Sequence, residues 1–164
     1  METLAAVNIR QVGATAPRDS VAVSSCIAEY NIRMAKETEN LDLDPDTIHR
    51  GVRAIIEEDR SGTGRGKYFV AELDGRIIGQ LMITYEWSDW RNADVWWIQS
   101  VYVVPEHRGK GVFKKLYTHV RAKAEEHKAC GLRLYADNDN IKAQDTYKRL
   151  GMTTHYAVFE DMWA

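Results

Sequence analysis

The chain has 164 residues, of which 45% are hydrophobic and 28% charged, a balance that suits one globular domain and excludes a disordered or fibrous chain. A formal net charge of −2 provides no basic field for nucleic acid. No apolar run reaches the roughly 20 residues that a membrane helix needs.

The expected elements follow in chain order. Val7, Ile9 and Gln11 alternate with their neighbours and read as a first strand. Helical spacing runs from Asp19 to Lys36, with Val23, Ile27, Tyr30 and Met34 on one face. Asp44-Pro45 opens a second helix, because Asp caps a helix start and Pro is tolerated at the first helical position. Ile48, Val52, Ile55 and Ile56 form its apolar stripe. Gly62, Gly64 and Gly66 mark a loop. Lys67 to Leu73 and Arg76 to Tyr85 read as a hairpin turning at Asp74-Gly75. A polar and aromatic loop, Glu86 to Ala93, precedes a long strand from Val95 to Val104. A helix is expected from Gly111 to Lys128, a short strand from Leu132 to Ala136, and a helix from Asn140 to Leu150 with Gly151 as its C-cap. A last strand is expected from Thr154 to Met162. The order β-α-α-β-β-β-α-β-α-β describes an α/β fold, a mixed sheet flanked by helices, in one domain spanning 1–164.

The N-terminus METLAAVNIR has no basic stretch followed by an apolar one, so no signal peptide is expected and the cytoplasm is the expected compartment. Cys26 and Cys130 are expected to be reduced, since two cysteines make a poor disulfide framework. The histidines never fall four apart on a helix, so no metal site is expected. Gly62 to Lys67 fails as a phosphate loop: Ser61 stands where a glycine is required, Tyr68 where a hydroxyl residue is, and a strand follows. Asp137 to Asn140 fails as a calcium loop, because Ile141 and Lys142 interrupt the ligand pattern.

The informative junction is SVYVVPEHRGKGVFKKLYTHV. Pro105 ends a strand, and Arg108-Gly109-Lys110-Gly111 runs into a helix start. Helix N-termini present N–H groups and a favourable dipole to an anion, and glycine lets the backbone come close. Lys110 and Lys114 add positive charge. On this evidence alone, a pyrophosphate cradle and an ordinary strand–helix loop both remain open. A second pattern lies downstream: Asn140, Ala143, Tyr147, Leu150, Gly151 and Met152.

With both patterns in this order, the sequence resembles the GNAT superfamily of acyl-CoA-dependent N-acetyltransferases. The family's cofactor motif, Gln/Arg-x-x-Gly-x-Gly/Ala, is met at Arg108 and Gly111, whereas Phe113 stands where a small residue is usual. The downstream Asn-x-x-Ala-x-x-x-Tyr pattern is met at every step. The resemblance implies transfer of an acetyl group from acetyl-CoA to a primary amine, of a small molecule or of a protein, with no metal; a non-catalytic acyl-CoA-binding regulatory domain is the alternative reading. It places Val101, Tyr102 and Val103 along the pantetheine arm, and Arg108, Gly109, Lys110, Gly111, Val112, Phe113 and Lys114 around the pyrophosphate. It makes Asn140 a cofactor contact and Tyr147 the acid that protonates the departing thiolate.

Several residues could serve as the base for the incoming ammonium. Where some family members carry a Glu on the fourth strand, this chain has Trp97. Glu37, Glu39 and Glu86 are the alternative carboxylates, with Gln99 and Ser100 as water holders; solvated surface charge is the competing reading of each Glu. Trp87 and Arg91 come from a loop expected to face Glu37 and Glu39, and aromatic rings beside carboxylates suit an organic cation. Core or dimer packing is the competing use of the tryptophans. The expected partners are a small-molecule amine and a second copy of the chain in a homodimer, with neither nucleic acid nor membrane.

Overall fold

The computed structural model describes residues 4–13, 21–61 and 64–163. It divides into two compact units, residues 1–133 and 134–164.

In the first unit five strands form one sheet in sequence order: β1 (Asn8–Gln11), β2 (Gly66–Leu73), β3 (Arg76–Ser88), β4 (Ala93–Val103) and β5 (Gly131–Arg133). The first four are antiparallel neighbours, and β5 lies parallel to β4. Three helices complete the unit: α1 (Val21–Glu39), α2 (Pro45–Ser61) and α3 (Val112–Glu126). The β2–β3 turn has φ of 49° at Asp74 and 76° at Gly75, the paired positive values that match a two-residue turn to strand twist. Helix α2 starts as its sequence dictates: the Thr47 N–H donates to Asp44 Oδ2 at 2.8 Å, and this bond with the Thr47 hydroxyl holds the Asp44 carboxyl below its usual range.

Side chains alternate across the pleat, and this assigns the helices to faces. Tyr68 meets Asn31 of α1, whereas its neighbour Phe69 meets His119 of α3. The α1–α2 face is sealed by Val12, Ile27, Ala28, Val52, Ile56, Tyr68 and Val70, all buried. The apolar stripe read for α2 faces this cluster, with Ile48 and Ile55 packed at its margin.

Strand β3 runs three residues beyond the expected Tyr85, and β4 begins at Ala93, so the expected Glu86–Ala93 loop shrinks to a short turn. Asp19 and Ser20, the expected start of α1, lie outside the described residues, as does Gly62. The expected Leu132–Ala136 strand is shorter and one residue earlier, at Gly131–Arg133.

The second unit contains α4 (Ile141–Arg149). Asn140 caps it, its Oδ1 accepting the Ala143 N–H at 3.2 Å. Gly151 takes φ 85° just past the helix, the left-handed C-cap expected of it. The expected strand Thr154–Met162 is not formed: residues 152–163 have no regular secondary structure. Alternating apolar residues provide two faces, but a strand also needs a neighbour for its N–H and C=O groups, and none pairs with this segment among the described residues.

Candidate active site

Strand β4 is bent by a bulge. Met82 faces Gln99 and Gln80 faces Tyr102, so Leu81 stands against both Ser100 and Val101. Ser100 has φ 51°. A side chain in that left-handed region costs about 1–2 kcal/mol, so the surroundings must enforce it. On the other side of β4, pairing with β5 covers only Val95 to Trp97. Beyond Trp97, β4 carries Val101, Tyr102 and Val103 along an edge with no further strand partner among the described residues.

Beneath the bulge lies a polar group of four residues. Gln80 Nε2 donates to Asn31 Oδ1 at 2.7 Å and reaches the Ser100 carbonyl at 3.5 Å. Asn31 Nδ2 donates to the Tyr68 hydroxyl at 3.2 Å. Burial raises the pKa of that hydroxyl, and the nearby Ser100 side chain opposes the shift. Gln80 is fully buried, and its Oε1 has no hydrogen-bond partner. Such an orphan costs about 1–3 kcal/mol.

The strand ends in a turn at Pro105–His107 and enters the glycine junction. Gly109 has φ 73° and Gly111 φ 85°, and Gly111 is the N-cap of α3. A Cβ on Gly109 would meet nothing within 4 Å, so this side of the loop is open. The first intrahelical acceptor is the Gly111 carbonyl, bonded by the Lys115 N–H at 3.1 Å. The first turn of a helix presents N–H groups with no intrahelical partner, which suits an anion such as a pyrophosphate. Val112 is buried, and the Phe113 ring lies 6.3 Å from that of Tyr117, one turn along α3. The bulky residue at the motif's small position therefore packs along the helix. Lys110 and Lys114 are exposed.

Arg108 turns towards α1. Its Nε donates to the Val103 carbonyl at 2.7 Å and its Nη2 to Glu37 Oε2 at 2.7 Å, and its guanidinium lies 5.3 Å from the Tyr102 ring centre. The Tyr102 hydroxyl donates to Glu37 Oε1 at 3.3 Å; burial, followed by the Glu37 charge, raises its pKa. Glu37 thus joins the end of α1 to the glycine loop. Glu39, two residues on, is exposed.

Glu86 lies on the α1–α2 face of the sheet, where it accepts from Trp97 Nε1 and, at 2.6 Å, from Arg133 Nη1. The Arg133 guanidinium sits 5.5 Å from the Trp97 ring centre. Gln99, two residues along β4, donates to the Thr84 hydroxyl at 2.6 Å. Trp87 alternates to the opposite face, where with Tyr85, Asp94, Trp96 and His127 it lines a depression of about 400 Å³. The structure therefore brings Glu37 to Arg108 and Glu86 to Trp97, and it separates Trp87 from both carboxylates.

In the second unit Asn140 and Tyr147 lie one at the cap and one within the body of α4. Burial raises the pKa of the Tyr147 phenol, which keeps it in the proton-donating form. Among the described residues no cluster of His, Cys, Asp and Glu is arranged for a metal ion, and no helix is long and apolar enough to cross a membrane.

Sequence reasoning missed Gln80, Asn31, Tyr68 and Arg133. One signal was available: an amide within the apolar run Ile77-Ile78-Gly79-Gln80-Leu81 has to find a buried partner.

The chain is 31% identical to thialysine N-epsilon-acetyltransferase of Bos taurus over 75 residues, 46% of this chain and 44% of that enzyme. It is 28% identical to the Sus scrofa enzyme of the same name over 131 residues, 73% of this chain and 75% of that one. A crystal structure of a possible acetyltransferase from Clostridium difficile 630 superposes with a TM-score of 0.81 at 36% identity, covering 96% of this chain and 98% of that one. The model of the acetyltransferase (GNAT) family matches residues 30–152, from within α1 to just past α4 and across both sequence patterns. The chain belongs to the GNAT family of acetyltransferases.

Proposed function

We propose that this protein transfers an acetyl group from acetyl-CoA to a primary amine of a small molecule, by direct attack of the amine on the thioester. The observation that carries the reading is the junction of the bulged β4 edge with the two left-handed glycines at the start of α3. The edge residues Val101, Tyr102 and Val103 suit an extended amide-bearing arm that adds as a strand would. The segment Arg108 to Lys114 suits the pyrophosphate at its end, gripped by backbone N–H groups with Lys110 and Lys114 nearby. Asn140 is assigned to the cofactor on the family motif.

The amine nitrogen, once deprotonated, attacks the thioester carbonyl carbon. The C–N bond forms, and the carbonyl electron pair moves onto oxygen. N–H groups of the β4 edge near Tyr102 and Val103 stabilise that oxyanion. The intermediate collapses and the C–S bond breaks; the thiolate takes a proton from Tyr147, whose assignment rests on the family motif, and the nitrogen gives up its second proton to water, leaving the neutral amide. Glu86 on the α1–α2 face, with the Gln99–Thr84 pair beside it, is the proposed station for the proton lost by the ammonium. Glu39 is proposed to attract a cationic acceptor. Glu37 and Trp87, which the sequence pointed to for the acceptor, stand in other surroundings: Glu37 against Arg108, Trp87 on the opposite face.

The relatives from cattle and pig carry the name of an acetyltransferase acting on thialysine at its epsilon nitrogen, which favours an amine on a small molecule. The test is a panel of small primary amines with acetyl-CoA, scored by release of the free thiol. Turnover of at least one cationic amine is expected; thiol release with none of them, under conditions where the protein binds acetyl-CoA, would overturn the reading.

A further inference from the structure

We propose that Gln80, acting with Asn31 and Tyr68, is a positioning residue for acyl transfer: it holds the bulge at Ser100 so that the open edge of β4 presents its N–H groups to the thioester oxygen. The inference rests on the acetyl-transfer reading above.

Three polar side chains run as a chain around the Ser100 backbone. Gln80 of β3 bonds Asn31 of α1 at 2.7 Å, Asn31 bonds Tyr68 of β2 at 3.2 Å, and the Ser100 side chain on β4 lies near the Tyr68 hydroxyl. The Ser100 carbonyl returns to Gln80 at 3.5 Å. Ser100, with its left-handed backbone, is therefore reached at its carbonyl by Gln80 and has its side chain near the Tyr68 hydroxyl. Three elements hold it in place, and the residue that Gln80 faces across the ladder is Tyr102, on the edge itself.

The same set of side chains is poorly built for stability. Gln80 lies among fully buried Leu81 and Val70, where an apolar side chain of equal size would fill the space, and its Oε1 goes unpaired. A buried amide that leaves its own oxygen without a donor adds little to the folded state. Its contribution is a fixed Ser100. Donors to an oxyanion act only when they are aimed at the position the oxygen reaches, so an edge free to relax loses turnover before it loses fold.

Stability and turnover should therefore respond separately. Gln80→Met keeps the volume and removes the unpaired Oε1, while Asn31 Oδ1 loses its donor, so one orphan replaces another. The melting temperature should stay within about 4 °C of wild type, the shift that about 1 kcal/mol produces in a chain of this size. The kcat with the best amine should fall about tenfold or more. The acetyl-CoA Kd draws on the untouched glycine loop as well as on this edge, so it should change by several-fold less than kcat does. If Gln80→Met does not fold, Tyr68→Phe carries the test, since it removes only the hydroxyl that Asn31 bonds and Ser100 lies near; kcat should again fall by more than the Kd rises. A folded variant with wild-type kcat, or one whose kcat loss is matched by an equal loss of acetyl-CoA affinity, overturns the inference. Wild-type protein that acetylates no amine overturns the acetyl-transfer reading and this inference with it.

Discussion

Replacing Gly111 with Asp separates the chemistry of the glycine loop from the fold. Gly111 sits at φ 85°, ψ 8°. Asp is among the few residues that visit the left-handed region, at a cost of about 1 kcal/mol. Its Cβ would lie 3.0 Å from Leu4 Cδ2, the end of a side chain that is 38% exposed and free to swing aside. The expected loss of melting temperature is about 2–4 °C. The loss of affinity should be far larger. A carboxylate on this residue would sit roughly 5 Å from a pyrophosphate resting on the start of α3, and at an effective dielectric of about 20 to 80 each phosphate charge repels it by about 1–3 kcal/mol. That is roughly a five- to 150-fold rise in Kd for acetyl-CoA. Titration calorimetry on Gly111→Asp measures it, with Gly111→Ala as the control that carries a similar backbone cost and no charge. A folded Asp variant that binds acetyl-CoA as tightly as wild type would show that the phosphates do not lie on this loop.

Tyr147→Phe should lower kcat by about 10²-fold or more while leaving acetyl-CoA affinity intact, because only the transition state uses the hydroxyl; equal turnover by the variant with the best amine refutes its role as acid. Burial pushes the Tyr85 phenol up to about 12, with the Asp59 and Asp94 charges adding to the shift. Above pH ~10 the unfolded chain releases this proton and the folded chain keeps it, so stability should fall between pH ~10 and about 12. Urea melts at pH ~9 and ~11 check this, and no difference between them refutes it. The exposed Tyr156, Phe159 and Trp163 support a homodimer, and light scattering at micromolar concentration that returns a monomer mass would exclude one.

What the sequence made legible was local. The α2 start was readable because Asp44 and Pro45 act within one turn, and the hairpin at Asp74-Gly75 because its torsions depend on two residues. The glycine junction was readable for the same reason. Features built from distant residues were hidden. Glu37 and Arg108 are 71 positions apart, and nothing in either neighbourhood announces their pairing. The residues around the left-handed Ser100, Gln80, Asn31 and Tyr68, come from three other elements. The segment from Thr154 to Met162 failed in the opposite direction: its alternation is a local pattern, but pairing is a property of two segments. Trp87 was expected in a loop facing Glu37 and Glu39, but β3 runs on through it, and strand alternation turns it to the opposite face.

The short contact between β4 and β5 also makes the protein its own reporter. Only three register pairs join these strands, whereas β3 covers the other side of β4 along almost its whole length. Amides turned towards β3 should therefore exchange with deuterium slowly, and those turned outward beyond Trp97 quickly. Any molecule that lies along the outward row and bonds to it will slow exchange there and leave the inner row unchanged. Occupancy of the edge can thus be read one amide at a time, with no acceptor present and no bond broken.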